Sequence, residues 1–577
     1  MTKVLLLAIL AALATAHAAA LSQQSVLSLS APRAPKFSAS FELQYTFSLP
    51  YESSIQPDGV KYPVHIWKDA ESSKLRMDTY NRTNSLITTK DDAVVISPRI
   101  DSLDCNDLGP YLPHGLGSVN AMMLGASVLP DVSAWEYKGQ DEVRNQHCNL
   151  WELRQRHGRK TTIYKYYATT DGTPVRLHMH GNDISSGAHF DEYLADFTEY
   201  KSGRPDDAVF ALPNICTPSA HKPARQSFPT AAFQMSLLLP STRHSGDEVY
   251  DDFAASFGRR HATLQEYEHR RAVFHDNRKF IEDWNSEAQS SERHMLGLNH
   301  FADWTQEEFE AIMLPKHNRA WAKSNLPPPA GKHLVQHEAL AHAASVPSTV
   351  SWVGTGGGGL VTDQAVCGSC WAFATAAALQ GALWMKTGKA VHFSEQQVMD
   401  CSWDYEGNSA CDGGEYNGAL DYLIDAGGAV MDQEYEYLGQ DGWCTDRNHS
   451  DAHASNLTRF KGYAFVPQGD DEALKEAVYS RGPLAVSLDA GHPSFRFYSH
   501  GVYQEPDCKW KEGDLDHAVT LVGYGTSERG QDYWLIKNSW STHWGENGYV
   551  AVSREHHACG ITTSPMYAIV AEEDEVS

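Results

Sequence analysis

Positive charge is scarce in this chain of 577 residues: lysine and arginine number 47 against 73 aspartates and glutamates, and the formal net charge is −26. A field of that sign repels phosphate backbones, which excludes general binding to nucleic acid. The apolar fraction of 42% and the charged fraction of 21% are typical of a folded protein, not of a disordered or collagen-like one. At about 150 residues per domain, the length predicts a multidomain chain of up to about four units.

Long apolar runs are missing too: no segment after the N-terminus has the roughly 18 uninterrupted apolar residues of a membrane helix, so we expect no membrane span. The N-terminus carries Lys3, an apolar core over Val4–Leu13 and small residues at Ala16-His17-Ala18. That order is typical of a secretory signal peptide, which we place at 1–18. The alternative, a membrane anchor, needs a longer core to cross about 30 Å of hydrocarbon. Three Asn-x-Ser/Thr triplets are candidate glycosylation sites on this route, at Asn81, Asn448 and Asn456.

The region 20–216 has the pattern of an antiparallel sheet. Phe41–Phe47 and Thr162–Tyr167 alternate apolar and polar residues and favour aromatic and β-branched side chains, and Asp171-Gly172 is suited to a hairpin turn. The pattern predicts a β half-barrel-like domain of unknown role, followed by a linker at 217–245 that is rich in Pro, Ser, Ala and Thr. The domain resembles half-barrel carriers of lipid or other apolar ligands. A targeting or chaperoning domain is the alternative.

The texture then becomes helical, with one stripe of residues spaced three or four apart: Glu266, Arg270, Phe274, Asn277, Ile281 and Asn285. This spacing predicts one helix from about Asp247 to Glu287, for which an ordinary amphipathic helix is the alternative interpretation. A second motif, Gly297-Leu298-Asn299-His300-Phe301-Ala302-Asp303, follows. The two motifs resemble the E-R-F-N-I-N and G-x-N-x-F-x-D signatures in the propeptides of cathepsin L-like papain-family proteases. The resemblance implies an α-helical inhibitory prodomain at 247–312, and the polar, proline-containing stretch 313–345 is suited to cleavage.

Nucleophilic chemistry is indicated by Cys367-Gly368-Ser369-Cys370-Trp371, because helix formers follow it without a breaker until Gly381. Cys370 is therefore predicted at a helix N-terminus, where unpaired N–H groups favour a thiolate. A nearby imidazole would supply both a counter-cation and a proton for the leaving group. Among 28 histidines the candidate is His517, whose apolar flanks predict a buried strand.

Three further residues complete this site. Asn538 can accept the imidazole N–H, Trp540 can shield that hydrogen bond from water, and Gln364 can donate to a developing oxyanion. Cys, His and Asn segments in this order resemble a papain-family cysteine protease, from about Asp247 to the C-terminus. The resemblance implies an α+β papain-like domain at 346–577, with a helical left half and a β-barrel-like right half, and neither cofactor nor metal. It assigns the roles of nucleophile, general acid/base, orienter and oxyanion donor to Cys370, His517, Asn538 and Gln364, and an inactive homologue is the alternative.

The chain has 10 cysteines, and the secretory route permits disulfides. Once Cys370 is set aside, six remain in the catalytic unit, and six allow 15 pairings. The resemblance implies the pairs Cys367–Cys411, Cys401–Cys444 and Cys508–Cys559. The odd number in the front domain (Cys105, Cys148, Cys216) leaves one that is free or that bridges to another chain.

The resemblance also implies a substrate-binding set: Gly413, Gly414, Tyr416, Ser487, Leu515, Asp516, Ala518, Trp540 and Ser564. A neutral Ser564 at the floor of the S2 pocket predicts a preference for hydrophobic or aromatic P2 side chains. No adjacent histidine pair lies between Cys401 and Cys411, which favours endopeptidase over carboxydipeptidase action. Two departures from the family pattern stand out: the glycine run Gly356–Gly359 predicts a loose loop, and Ser541 stands where the family normally has glycine.

These observations predict a cysteine endopeptidase made as a zymogen in the secretory pathway, with a lysosomal or extracellular destination. Its expected partners are protein substrates and its own prodomain as inhibitor. We expect the prodomain to loosen in acid, because Asp303 and the environment of Glu266 and Arg270 lose charge pairing as the pH falls. The layout resembles two-chain, cathepsin L-like proteases of invertebrate blood cells, which implies that the front domain stays as a non-covalent second chain. In the alternative function, the front domain is an apolar-ligand or surface-binding module and the protease is secondary or inactive.

Overall fold

A computed structural model describes the following residues: 32–49, 60–80, 82–89, 93–99, 102–107, 128–157, 160–182, 190–216, 247–257, 259, 261, 264–291, 293–314, 331–338, 346–365, 367–403, 405–444 and 457–572. The predicted signal peptide, the linker 217–245, most of 313–345 and the three glycosylation asparagines lie outside these residues. Within the described ranges, no helix has both the length and the apolar character that crossing a membrane requires.

The front of the chain forms one antiparallel sheet of eleven strands in the order β6-β5-β4-β3-β2-β1-β11-β10-β9-β8-β7. Its strands are β1 Phe41–Leu49, β2 Val60–Asp69, β3 Lys74–Thr79, β4 Asn84–Thr88, β5 Ala93–Arg99, β6 Ser102–Asp107, β7 Glu136–Val143, β8 Gln146–His157, β9 Lys160–Thr169, β10 Pro174–Asn182 and β11 Phe190–Ser202. The predicted antiparallel sheet is confirmed, and the Asp171-Gly172 turn joins β9 to β10. Gly172 has φ +92°, a conformation that glycine adopts without a steric penalty.

Alternation along the strands builds the core of this sheet. Leu43, Tyr45 and Phe47 on β1 are buried, while the polar residues between them are half-buried. Among the front-domain cysteines, Cys105 pairs with Cys216 and ties β6 to the turn that ends the domain. The remaining cysteine, Cys148, is a buried free thiol.

After the front sheet, the chain forms three helices, α1 Glu248–Ser256, α2 Leu264–Ser291 and α3 Gln306–Met313, and the short strand β12 Met295–Leu296. The prediction of one continuous helix from Asp247 to Glu287 is wrong. The chain breaks after α1 and folds back, which brings the Tyr250 and Phe253 rings within 5.4 and 4.6 Å of the Phe274 ring. A straight helix would leave these apolar rings in water.

The predicted stripe on α2 faces the Gly297–Asp303 motif and α3. Asn277 donates to the carbonyls of Ala302 and Trp304, both at 2.9 Å, and Asn285 exchanges two hydrogen bonds with the backbone of Leu296. Because each amide satisfies otherwise unpaired backbone groups, the stripe fixes the fold of the chain that follows it.

The ion pairs at this junction include two residues that the sequence analysis did not name, Glu308 and Arg259. Arg270 forms a bidentate pair with Glu308 on α3, at 2.6 and 2.9 Å, and Asp303 pairs with Arg259 at 3.0 Å. The Glu266 carboxylate also attracts Arg270. Charge pairing therefore joins α2 to α3.

The last unit is built from helices and a second sheet. Its helices are α4 Cys370–Thr387, α5 Glu395–Cys401, α6 Tyr416–Asp425, α7 Asp471–Arg481 and α8 Pro493–Arg496. Its strands are β13 Val350–Ser351, β14 Phe460–Phe465, β15 Leu484–Leu488, β16 Tyr498–His500, β17 Val502–Tyr503, β18 His517–Thr526, β19 Asp532–Lys537, β20 Tyr549–Ser553 and β21 Met566–Val570. The sheet order is β14-β21-β15-β18-β19-β20-β17, with β13 paired to β18. Helix α4 packs against β15, β18 and β21, so that the start of α4 and the start of β18 are neighbours.

The glycine run Gly356–Gly359 is packed, and the expectation of a loose loop is wrong. A Cβ on Gly356 would lie 2.3 Å from the Trp384 ring, and one on Gly358 would lie 2.1 Å from the carbonyl oxygen of Trp352. Glycine is needed here because these groups approach the backbone too closely for any side chain.

Four disulfides are present among the described residues. Those of the last unit are Cys367–Cys411, Cys401–Cys444 and Cys508–Cys559, the pairs that the family resemblance implied. Cys370 is a free thiol, so its sulfur is available for chemistry.

The front sheet contacts the last unit at Tyr437–Asp441, which we call the docking segment. Tyr62 on β2 donates its hydroxyl hydrogen to the Leu438 carbonyl at 2.8 Å. Gln440 is buried against the sheet, with Nε2 3.4 Å from the Thr79 hydroxyl at the end of β3. The sheet is therefore hydrogen-bonded to the catalytic unit by strands from one of its halves.

Candidate active site

Cys370 is the first residue of α4, where the sequence predicted it, and only 6% of its surface is exposed. Burial raises the pKa of its thiol to about 11, although hydrogen bonds from the backbones of Ala518 and Trp371 act in the opposite direction. The expected thiolate is thus not favoured in this structure, because loss of water outweighs the donors at the helix terminus. The contact with Ala518 places the sulfur beside the start of β18.

His517, the first residue of β18, provides the imidazole at that position. Its Nε2 lies 2.8 Å from Oδ1 of Asn538, and that oxygen also accepts the backbone N–H of Ser539 at 2.8 Å. Because an amide oxygen only accepts, Nε2 carries the hydrogen, and Nδ1 has no hydrogen-bond partner. Burial lowers the pKa of this imidazole to about 4, partly offset by the bond to Asn538.

Trp540 covers the histidine–asparagine pair as the sequence indicated. Its ring stacks on the His517 ring with centroids 4.5 Å apart and an angle of 28° between the planes. The indole is completely buried. The indole therefore keeps water away from the Nε2–Oδ1 hydrogen bond, and this hydrogen bond is stronger as a result.

Gln364 is fully buried. Its Nε2 donates to the carbonyl of Cys367 at 2.8 Å, and its Oε1 accepts the hydroxyl of Ser539 at 2.7 Å. These two bonds fix the orientation of the amide. The amide nitrogen has two hydrogens, and the bond to Cys367 uses one of them.

The predicted S2 residues form one hydrogen-bonded cluster. The Tyr416 hydroxyl donates to the Ser564 carbonyl at 2.6 Å and lies 3.0 Å from the Ser564 hydroxyl, and the Ser487 hydroxyl donates to Tyr416 at 3.2 Å. Leu515 and Ala518 are buried on the same unit. The polar groups of this cluster are satisfied by one another and carry no charge.

Three other predicted residues lie in different structural environments. A Cβ on Gly414 would lie 2.5 Å from the Trp371 ring, and Gly413 has φ +102°. Asp516 accepts the backbone N–H of Ala490 at 2.8 Å, and burial raises the pKa of its carboxyl to about 7. The glycines keep the wall next to α4 free of side chains.

The prodomain packs onto Trp540 from the outside. The rings of Phe301 and Phe309 meet the Trp540 ring edge-on, at 5.7 and 5.3 Å. Asn299 of the Gly297–Asp303 motif donates to the carbonyl of Arg496 at 2.8 Å. The prodomain is thus joined to the element that shields the candidate catalytic pair.

The sequence analysis missed two residues, one inside the prodomain and one at its interface with the last unit. Glu308 had a local signal, because Thr305-x-x-Glu308 is a capping box that marks the start of α3. Arg496 had none: its guanidinium is buried and donates to Asn277 of the prodomain stripe at 2.8 Å.

One group among the described residues brings three metal-ligand types within 4.8 Å: Asp489, His492 and Cys508. Cys508 is oxidised in a disulfide, so its sulfur is not a thiolate ligand. Two ligands are fewer than protein metal sites normally use, and we assign no metal here.

Comparison with known proteins agrees with this geometry. Residues 346–569 match the papain family cysteine protease domain, and residues 250–309 match the cathepsin propeptide inhibitor domain (I29). Digestive cysteine proteinase 1 of Homarus americanus is 39% identical over 342 residues, which are 59% of this chain and 99% of that protein. Cathepsin L-like peptidase of Aedes aegypti is 44% identical over 283 residues, 48% of this chain and 80% of that protein. Procathepsin L of Rattus norvegicus is 37% identical over 339 residues, 58% of this chain and 95% of that protein.

These relatives are matched over prodomain and catalytic unit together, so the alternative of a binding protein with a secondary protease is not favoured. The chain is therefore a member of the papain family, a cathepsin L-like cysteine protease that is made as a proenzyme with an inhibitory propeptide domain and carries an antiparallel β sheet in front of it.

Proposed function

We propose that the protein is an endopeptidase in which Cys370 is the nucleophile, His517 the general acid/base and Asn538 the orienting residue. The observation that carries this proposal is the 2.8 Å bond from His517 Nε2 to Asn538, which leaves Nδ1 without a partner, on the residue next to Ala518, whose backbone is hydrogen-bonded to the Cys370 sulfur. Gln364 and the backbone N–H of Cys370 are the proposed oxyanion donors.

In the proposed reaction, Nδ1 of His517 takes the thiol proton and the sulfur of Cys370 attacks the peptide carbonyl carbon. The imidazolium then gives that proton to the departing amine, and the C–N bond breaks to leave a thioester. Water next gives a proton to Nδ1 and attacks the thioester, and the C–S bond breaks. The acid product is released, and the sulfur of Cys370 takes the proton back from Nδ1, which regenerates the free thiol and the neutral imidazole.

We propose that loss of the prodomain activates this pair. In the proenzyme, burial holds the thiol pKa at about 11 and the imidazole pKa at about 4, so both groups are neutral. Admission of water to the cleft lowers the first pKa and raises the second, which favours the thiolate–imidazolium pair.

The proposed substrates are proteins with a hydrophobic or aromatic side chain at P2. The uncharged cluster of Tyr416, Ser487 and Ser564 supports this, because a basic P2 side chain would find no counter-charge among these three residues. A P2 library in which arginine exceeds leucine, valine and phenylalanine would contradict the proposal.

We propose the following processing: removal of the signal peptide at 1–18, cleavage within 313–345, and release of an inhibitor that spans 247–312 from a catalytic domain at 346–577. The expected route is the secretory pathway, with a lysosomal or extracellular destination. The front domain, 20–216, with a half-barrel-like curvature, stays as a non-covalent second chain. The hydrogen bonds from Tyr62 and Gln440 across the docking segment support retention.

The test is N-terminal sequencing of the acid-matured protein together with labelling by an epoxide thiol inhibitor. We expect the label on Cys370, a new N-terminus near residue 346, and no labelling of Cys370→Ala. Burst acylation that persists in Cys370→Ala would refute the assignment, and so would a precursor that is fully active at neutral pH before any cleavage.

A further inference from the structure

Asp441, the last residue of the docking segment, contacts two strands of the front sheet. Its carbonyl accepts the side-chain N–H of Asn84, the first residue of β4, at 2.7 Å. Its carboxylate is hydrogen-bonded to the hydroxyl of Ser97 on β5. Asp441 is 7% exposed, so these bonds are largely protected from water.

The same carboxylate contacts the wall of the substrate cleft. It accepts the backbone N–H of Cys411 at 3.1 Å. Cys411 is bonded through its sulfur to Cys367, and its carbonyl accepts the N–H of Gly368 at 3.0 Å. Gly413 and Gly414 follow after Asp412, so Asp441 holds the segment that leads into the glycine wall.

The other end of the docking segment contacts the site as well. The Tyr437 hydroxyl donates to the Gln364 carbonyl at 2.8 Å and lies 2.8 Å from the hydroxyl of Ser369, the residue before Cys370. The front sheet and the catalytic residues are therefore separated by this one stretch of chain.

The docking segment is held firmly from behind by α5. Gln396 accepts the N–H of Leu438 and donates to the carbonyl of Gln440, both at 2.8 Å. Asp400 accepts the N–H of Gly442 at 2.8 Å. A segment fixed at this many points transmits its position to its neighbours and does not absorb displacement.

We propose that Asp441 is a positioning residue through which the front sheet fixes the Cys411–Gly414 wall, and that the docked sheet thereby raises the affinity of the cleft for extended peptides. This proposal rests on the proposed protease function. On this proposal, the front sheet strengthens substrate binding on the non-primed side of the cleft through Asp441, although the sheet itself does not contact the substrate.

The full chain is expressed and matured in acid, the front domain is kept bound to the catalytic domain, and the active-site concentration is set by the epoxide thiol inhibitor. The variants are Asn84→Ala, Ser97→Ala and both together, which remove the bonds to Asp441 from the sheet side only. The control is Gln140→Ala, an exposed side chain on β7 at the far edge of the sheet. Each is assayed with a peptide that spans P1 to P4 and with a single-residue ester that fills only S1.

For the double variant we expect KM of the long peptide to rise about 3- to 10-fold, the size of one or two lost hydrogen bonds, with kcat changed less than about twofold. KM of the ester should not change, and the control should behave as the wild type. Amide exchange at residues 409–414 should accelerate in the variants.

An unchanged KM for the long peptide with normal labelling of Cys370 would overturn the proposal, and so would an equal loss on both substrates. Absence of labelling in the wild type would instead refute the protease function itself, and this proposal with it. Because Asn84 and Ser97 lie outside the cleft, the outcome does not depend on whether Asp441→Ala folds.

Discussion

His294 is the residue at which we expect acid to act on the prodomain. It precedes β12, and its ring is packed between Trp284 of the prodomain and Tyr498 and Tyr503 of the catalytic unit, with centroids 5.0, 6.0 and 4.7 Å away. Its Nδ1 faces the backbone N–H of Gln504 at 3.4 Å, and Nε2 has no hydrogen-bond partner.

A charged imidazole is therefore poorly tolerated in this position. Burial, assisted by the neighbouring positive charge of Arg293, lowers the pKa of His294 from 6.5 to about 3. A histidine with a lowered pKa stabilises the closed state fully above its free value, and this stability is lost as the pH falls from about 6.5 towards 3. At about pH 4.5 the loss is about 2 to 3 kcal/mol, which corresponds to prodomain binding weakened on the order of 50- to 100-fold.

The perturbation is His294→Phe, which keeps a ring but cannot take a proton, with His294→Gln as a second variant. The assay is the initial rate at which the epoxide inhibitor labels Cys370 in the uncleaved precursor, followed from neutral pH to pH 4.5. We expect equal rates at neutral pH, and at about pH 4.5 a variant rate lower by 50- to 100-fold if no other group opens the prodomain. The control is His269→Gln, an exposed histidine on α2. Superimposable pH profiles for His294→Phe and the wild type would refute this reasoning.

Three further outcomes are expected. Glu308→Gln leaves Arg270 buried without its ionic partner, at a cost of about 3–5 kcal/mol, so the precursor should label at neutral pH, and a precursor that stays closed would contradict this. Asn538→Ala should lower kcat/KM by about 10- to 100-fold, less than Cys370→Ser, because the imidazole stays but loses its orientation; equal losses would count against the assigned roles. Ser541 has φ +62° and its hydroxyl accepts the N–H of His543, so Ser541→Ala should cost about 1 kcal/mol in urea unfolding, while Ser541→Gly, which relieves the strain, stays within about 0.5 kcal/mol. Equal destabilisation by alanine and glycine would exclude this account of Ser541.

Local sequence patterns predicted a helix or strand well where the residues of that one element determine its structure. Alternation in Phe41–Phe47 identified β1, and the helix formers after Cys370 identified the start of α4. The partners that these elements find were harder to predict. Nothing in the sequence around Arg270 shows that it pairs with Glu308, because that contact depends on how α3 packs across α2.

The same limit applies to the break before α2 and to the docking segment. The stripe begins at Glu266, so its periodicity predicts α2 but says nothing about the break before it, where α1 turns back and buries Tyr250 against Phe274. Asp441 carries no recognisable motif, and its importance comes only from meeting Asn84 and Cys411 at once. Tertiary contacts between distant segments leave no periodic trace in the sequence.

The cystine between Cys105 and Cys216 bears on the fate of the front sheet once proteolysis begins. It joins the final turn of that domain to β6 across 111 residues of chain. A covalent ring of this size removes enough freedom from the unfolded polypeptide to be worth about 4–5 kcal/mol. If the chain is cleaved after Cys216, the disulfide still holds the new C-terminal end of the front domain against β6. We therefore expect exopeptidases to be unable to unfold β11 from that end.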